Sequence, residues 1–339
     1  MIACNFSFHY TSFKCEKNFG VFLAVITIDL TSISVTSAVI SMAGKVMKKE
    51  SLSIEGKQGE QVSLLIQNQI KKLLSLFENE PIQIKAVGVS VPGICYSKTG
   101  LVWAPNIPGW DNYPLLQDIS YLLRGKNIRI KIDNNRTCCI LGEHWQGAAK
   151  ETKNAVYLAV GSGIGAGILI DGKILHGFND AVGAIGWFAV DRTYKDAYSE
   201  KGCLESLASG KGIITRVKES LNIIDDYSGY FKDIKIQNLV IGDVFDAYKQ
   251  KDPIAQKIIR ESVELWGITA ANIISAFNPE ILIFGGGVFG PGIFFIDEIK
   301  SEAKKWAQPL SIDKVKFSPS QLGNNAGLFG AGHLALGRF

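Results

Sequence analysis

Residues 154–187 read NAVYLAVGSGIGAGILIDGKILHGFNDAVGAIGW, and the fold turns on how this stretch is interpreted. An alternating apolar run from Ala155 to Val160 gives way to glycines at every second position, Gly161, Gly163, Gly165 and Gly167, then to a second apolar run ending at Ile170. Asp171-Gly172 is a turn pair that starts a third run. The segment predicts a strand, a tight glycine loop and a hairpin. Glycines at this spacing let backbone N–H groups close on an anion, because no Cβ stands between them and a phosphate. A glycine-rich hairpin without a ligand fits the same spacing, so the stretch alone leaves both readings open.

Working outward, the 339 residues suffice for two domains with substantial cores. A net charge of +4 gives none of the basic excess that nucleic-acid binding requires. Cys4, Cys15, Cys95, Cys138, Cys139 and Cys203 are scattered without a CxxC pair and read as reduced thiols of a cytosolic protein. Lys and Arg are absent before Lys14, so no secretory leader is expected. The weakly polar stretch Val21 to Ala43 has the hydropathy of a membrane span over part of its length. Asp29 and dense Ser and Thr divide it into two β-branched runs, which predict two core strands.

In chain order, strands are expected at Val21 to Leu30, Ile33 to Ser41 and Val46 to Ile54. Val62, Leu65, Ile66, Ile70, Leu73, Leu74 and Phe77 recur at three- and four-residue intervals and predict one helix face. A strand at Lys85 to Val91, a helix near Tyr113 to Leu123 and a strand at Asn127 to Ile132 complete a β-β-β-α-β-α-β unit with a mixed sheet. From Ala155 the order begins again, with three strands, helices, a strand at Ile281 to Phe284, a helix at Ile293 to Trp306 and a short strand at Lys314 to Phe317. Asp225 to Gln237 reads as a loop insertion. The chain therefore resembles two α/β domains of similar build around a cleft, the natural ligand site. The expected division is a linker-like strand over 1–20, a first domain over 21–145, a second over 146–324, and a last helix within 325–339 packing back on the first.

Several segments together resemble the ROK family of repressors, unassigned reading frames and sugar kinases. They are VGVSVPGICYSKTGLVWAPNIPGW (Val87 to Trp110), KIDNNRTCCILGE (Lys131 to Glu143), the glycine hairpin with GAIGW, KGCLESLASG (Lys201 to Gly210) and NIISAFNPEILIFGGGV (Asn272 to Val288). The resemblance implies the actin-like ATPase fold, with ATP and a hexose in the cleft. It assigns the second phosphate loop to Gly161, Gly163 and Gly165, and the segment beside the adenosine to Gly285, Gly286 and Gly287. It assigns sugar contacts to Asn106, Asn134, Asn135 and Glu205.

The sequence also departs from the family. Kinases of the family open with DxGGT, which here reads Asp29-Leu30-Thr31-Ser32-Ile33. Asp29 keeps the residue that assists the metal, while Thr31 and Ser32 replace both glycines. The family's catalytic ENDANAAALGE places Asn135 at the general base, and an amide cannot accept a sugar hydroxyl's proton. Asp133, two residues upstream, is expected in a turn or solvent role. GEIGH reads Gly183-Ala184-Ile185-Gly186-Trp187, losing two polar sugar contacts, and Trp187 is expected to fill a core gap. The family's zinc positions fall on Trp187, Asp196, Tyr198 and Cys203, one soft ligand of four, so no zinc is expected. Cys203 reads as a small buried residue. His9, His144, His176 and His333 do not cluster in sequence and are expected to carry no chemistry. NFSFHYTSFKCEKNFGVFLAV (Asn5 to Val25) resembles the strand that follows the DNA-binding segment in repressors of the family.

Three readings follow. The first is a non-catalytic, sugar-sensing effector domain of the repressor branch, needing no cofactor and binding a sugar or sugar phosphate. The second is an ATP- and Mg-dependent hexose or amino-sugar kinase with relocated catalytic groups. The third is a decayed structural paralogue. The first is the expectation, because the losses fall on the base, the first phosphate loop and the sugar contacts while the scaffold glycines persist. Direct DNA binding and membrane association are not expected; a cytoplasmic homo-oligomer, a homodimer in the simplest case, is.

Overall fold

The structure, a computed structural model, describes residues 22–337, so the strand expected over 1–20 lies outside the described residues. β1 (Phe22–Leu30), β2 (Ser34–Ser41) and β3 (Val46–Ser53) form an antiparallel meander, followed by α1 (Glu60–Leu76). β4 (Ile82–Val91) pairs parallel with β1. A two-stranded ribbon, β5 (Ile94–Cys95) with β6 (Val102–Trp103), and α2 (Leu115–Leu122) then lead to β7 (Arg129–Asn134), parallel to β4, and to α3 (Asn135–Gln146). The sheet order is β3-β2-β1-β4-β7.

The second half repeats this plan. β8 (Ala155–Val160), β9 (Ile164–Ile170) and β10 (Lys173–Ile174) are antiparallel. After α4 (Tyr198–Lys201), α5 (Cys203–Ala208), α6 (Gly210–Ile223), α7 (Ile241–Lys249) and α8 (Pro253–Phe277), β11 (Ile281–Gly285) pairs parallel with β8. α9 (Ile296–Ala303), α10 (Pro309–Ile312), β12 (Lys316–Pro319), parallel to β11, and α11 (Ala326–Leu336) finish the chain. The order β10-β9-β8-β11-β12 reproduces that of the first sheet, strand for strand and direction for direction. This duplication is what the actin-like ATPase fold requires.

β1 lacks a clean polar-apolar alternation because it is covered on both faces. Ile26 and Ile28 meet Ile66 and Ile70 of α1 on one side, while Val25 shares a cluster with Leu328 and Ala335 of α11 on the other. α11 reaches that sheet through glycine. A Cβ at Gly88 of β4 would stand 1.8 Å from the Ala331 carbonyl oxygen, and one at Gly330 would stand 1.6 Å from that of Cys138 on α3. α8, the longest helix, starts on Pro253 with Asp252 accepting from the N–H groups of Ile254 and Ala255, and stops at Asn278 in the left-handed conformation.

Two expectations change. The helix expected over 293–306 is shorter, because a single 3-10 turn at Ile293–Phe295 precedes α9. The insertion expected as a loop carries a 3-10 turn at Tyr230–Asp233, anchored because Asp252 accepts from the Tyr227 hydroxyl and the Tyr230 N–H while Phe231 is buried.

Candidate functional site

In open α/β sheets, ligands collect at the carboxyl ends of parallel strands, where the chain leaves the sheet. The predicted site residues concentrate there. Asp29 of β1, Ser90 of β4 and Asp133 of β7 are register neighbours at the ends of three adjacent strands. Gly161 follows β8, and Gly285, Gly286 and Gly287 stand at and beyond the end of β11. Asn106 lies exposed on the loop after β6. Two surface depressions, of about 360 Å³ beside Lys85 and Arg129 and about 460 Å³ beside Tyr227 and Pro253, lie away from these residues.

The alternating glycines of the opening hairpin serve different ends. A Cβ at Gly163 would stand 2.7 Å from a Glu205 carboxylate oxygen, one at Gly165 would stand 2.4 Å from Cδ of Arg136, and one at Gly167 would stand 2.1 Å from the Arg136 carbonyl oxygen. These three glycines admit α5 and α3. Gly161 faces nothing nearer than the Gly287 amide at 3.9 Å, and Gly287 has no neighbour within 4 Å of its Cβ position. Gly286, at φ +89°, turns the chain where a Cβ would strike the Val160 carbonyl. Open backbone from two adjacent parallel strands therefore lies at Gly161 and Gly287, with the Gly161 N–H donating to the Gly163 carbonyl at 2.9 Å.

Glu205 is tied to the hairpin by the Ile164 N–H, which donates to its carboxylate at 2.7 Å. Burial pushes its pKa up, against that bond and the nearby Lys211 and Arg136. Arg136 donates to the Gly93 carbonyl at 3.3 Å, while its Nε is buried without a partner. Burial accordingly lowers its pKa, with Asp133 and Glu205 opposing. Asn135 is the half-buried first residue of α3. Asn134 caps that helix. Its side-chain oxygen accepts from the Thr137 N–H at 3.0 Å, and its amide donates to Asp133 at 3.0 Å.

The segment aligned with the family's first phosphate loop is a self-contained turn. Thr31 N–H donates to the Ser34 carbonyl at 2.9 Å, and the Thr31 hydroxyl accepts from the N–H groups of Ser34 at 3.0 Å and Ile33 at 3.3 Å. Three donors that a glycine loop would aim at phosphate are used internally. Asp29 beside it is a buried carboxyl raised to about 6 by burial, with the Ser90 hydroxyl and Lys49 opposing. At the zinc positions, Trp187 is exposed, the Tyr198 hydroxyl donates to Asp191 at 2.8 Å and Cys203 is buried. That donor set does not fit a tetrahedral metal.

Three expectations are corrected. Trp187 does not fill the core, since it is 55% exposed on a short 3-10 turn after the Gly183 bend. Asp133 has no turn or solvent role: it is 7% exposed, its Oδ1 accepts from the Asn134 N–H at 2.7 Å, and its Oδ2 meets His176 Nε2 at 2.8 Å. His176 is thus placed among the site residues rather than apart from them, and His144 and His333 lie 5.8 Å apart, ring to ring, elsewhere. Asp180, on the same loop as His176, accepts from the N–H of Ser97 at 3.0 Å and from its hydroxyl at 3.1 Å. Sequence reasoning missed Arg136, His176 and Asp180. Arg136 carried a signal, a charge directly after the base position in an otherwise small-residue helix start; the other two carried none.

Comparison with known proteins agrees with the duplicated fold. A profile described as the ROK family matches residues 25–338. The glucokinase of Halalkalibacterium halodurans is 30% identical over 319 residues, covering 91% of this chain and 93% of that protein. The xylose repressor of Caldicellulosiruptor bescii is 27% identical, covering 91% of this chain and 76% of the repressor. Among solved structures, a ROK family transcriptional regulator homologous to the E. coli MLC protein superposes with a TM-score of 0.80 at 21% identity, covering 94% of this chain and 78% of that one. Kinases and repressors thus share one two-sheet scaffold, and the chain belongs to the ROK family.

Proposed function

We propose that this protein transfers the γ-phosphoryl group of ATP to a hexose or amino sugar held between the two sheets. The observation that carries the reading is the unobstructed glycine backbone at Gly161 and Gly287, where nothing stands nearer a Cβ position than 3.9 Å, which leaves room for phosphate at the ends of two adjacent strands. Asn106, Asn135 and Glu205 are the polar groups available to sugar hydroxyls, with Asn134 holding the start of α3 behind them. Similarity to a glucokinase along nearly its whole length supports the same chemistry. Mg²⁺ on the phosphates would use Asp29, since a buried carboxyl raised by desolvation returns to its ionised form beside a cation. Its chemistry there is to neutralise charge on the transferring group.

A second reading, a sugar sensor without turnover, draws on a specific observation: the Thr31 turn consumes the first loop's donors, and Asn135 stands at the expected base position. ADP release over a panel of hexoses and amino sugars, run beside thermal shift with the same sugars, separates the two. A sugar that binds the folded state raises the melting temperature in both cases. Turnover with that sugar supports the kinase; a melting shift with no ADP release refutes it in favour of the sensor.

A further inference from the structure

A sugar hydroxyl is a weak acid, and its attack on phosphorus needs a neighbouring acceptor for the proton. Asn135 cannot supply one. Asp133 cannot do so directly either, because Oδ1 is taken by the main-chain and side-chain N–H groups of Asn134 and Oδ2 by His176. What the structure offers instead is an imidazole held by a buried carboxylate. Nε2 of His176 lies 2.8 Å from Asp133 Oδ2, which fixes the proton on Nε2 and leaves the lone pair on Nδ1. Nδ1 makes no hydrogen bond among the described residues, and the side chain is 37% exposed. The loop that carries it is fastened across the molecule by Asp180 on Ser97, so the ring's position is set by both sheets.

Resting on the kinase reading above, we propose that His176 is the general base of this protein, with Asp133 as its positioning residue. Nδ1 takes the proton from the sugar hydroxyl as the oxygen lone pair forms a bond to the γ-phosphorus of ATP. The bond from that phosphorus to the β,γ-bridging oxygen breaks, and ADP leaves with the electron pair. The imidazolium, held through Nε2–H by Asp133, then returns its proton to water. An aspartate at position 135 would do the same work unaided; here the acceptor comes from the opposite sheet.

The charged groups acting on the ring are Asp133 across the cleft and Asp180 on its own loop, and the hydrogen bond to Asp133 raises the imidazole pKa above its ordinary 6.5. The rate therefore falls as pH drops through that raised value. A carboxylate base, with an ordinary pKa of about 4, holds its rate down to about pH 5.

The experiment measures ADP release with ATP and whichever sugar of the panel raises the melting temperature, for wild type, His176→Ala, Asp133→Asn, Asn135→Asp and the His176→Ala/Asn135→Asp pair. The expected result is a kcat loss of about 10²- to 10⁴-fold in His176→Ala with the sugar-induced melting shift kept, and recovery in the double variant with a pH profile flat to about 5. Asp133→Asn should lower kcat and move the profile's midpoint down, where a merely structural role would change stability alone. Wild-type turnover unchanged in His176→Ala overturns the dyad and leaves the kinase reading standing. Sugar binding without wild-type turnover, with turnover appearing only in Asn135→Asp, overturns both.

Discussion

Asp29 shows what one buried carboxyl does to the energetics of a site. The group ionises near 3.8 as an ordinary aspartate and at about 6 in the folded protein, because burial disfavours the charge. The folded state therefore holds the proton more tightly between those values. The contribution of Asp29 to stability is greatest below about pH 4, falls as pH rises through the window and levels off above about 6, a loss on the order of 2–3 kcal/mol. Asp29→Asn cannot ionise, so its urea-unfolding free energy should lack this decline and exceed that of wild type at pH 7. An equal decline in the variant would show that burial of Asp29 is not its source. A site that stores such a cost has a use for the charge, and phosphate-bound Mg²⁺ is the partner the proposed chemistry supplies.

Among elements, the glycines divide cleanly into those that pack helices and those left open. Gly330 lets α11 lie on α3, and the Cβ of alanine there would meet the Cys138 carbonyl at 1.6 Å. Gly330→Ala should cost about 3 kcal/mol, read as a lower urea midpoint with the m-value unchanged. Gly287→Ala meets nothing within 4 Å and should leave stability as it is; in the proposed kinase, where the nucleotide lies against this backbone, it should raise the KM for ATP. Unaltered ATP kinetics in that variant would remove the nucleotide from Gly287. The two glycines look alike in the sequence, and so do the hairpin glycines. Their every-second-residue spacing fits a phosphate cradle or a bare hairpin alike, and a Cβ at Gly163, Gly165 or Gly167 would meet Glu205 or Arg136. The strands and helices themselves were legible, because apolar periodicity is local, and so was the repeat of the plan from Ala155.

Across the whole molecule, the two sheets are joined near the site by Asp180 to Ser97 and His176 to Asp133, and Glu143 provides a further fixed point. Its fully buried carboxylate accepts from the N–H groups of Ala148, Gln321 and Leu322 and from the Ser320 hydroxyl. It ties the end of α3 to the chain entering α11, while Asp180 bonds to Ser97 on the loop between β5 and β6. In the proposed function, closure of the two halves on a sugar would load these bonds. Asp180→Ala removes two hydrogen bonds, about 1–3 kcal/mol of closure, so sugar affinity should fall roughly 10-fold or more. Small-angle scattering of the variant should show a larger radius of gyration that sugar reduces. A radius and affinity equal to those of wild type would mean that Asp180 does not hold the halves together.

By itself the sequence determined the order of the main strands, their duplication, the ROK membership and the asparagine at position 135. Each is written in local pattern or in motifs read one residue at a time. Only the tertiary structure decided that Asp133 is buried against His176, that Trp187 faces outward and that Thr31 closes its own turn. The physical reason is distance along the chain. Asp133 and His176 are 43 residues apart, one at the end of β7 in the first sheet and the other on the loop after β10 of the second, so no spacing rule links them. Their hydrogen bond exists because the two sheets bring the carboxyl end of β7 and the loop after β10 to the same place.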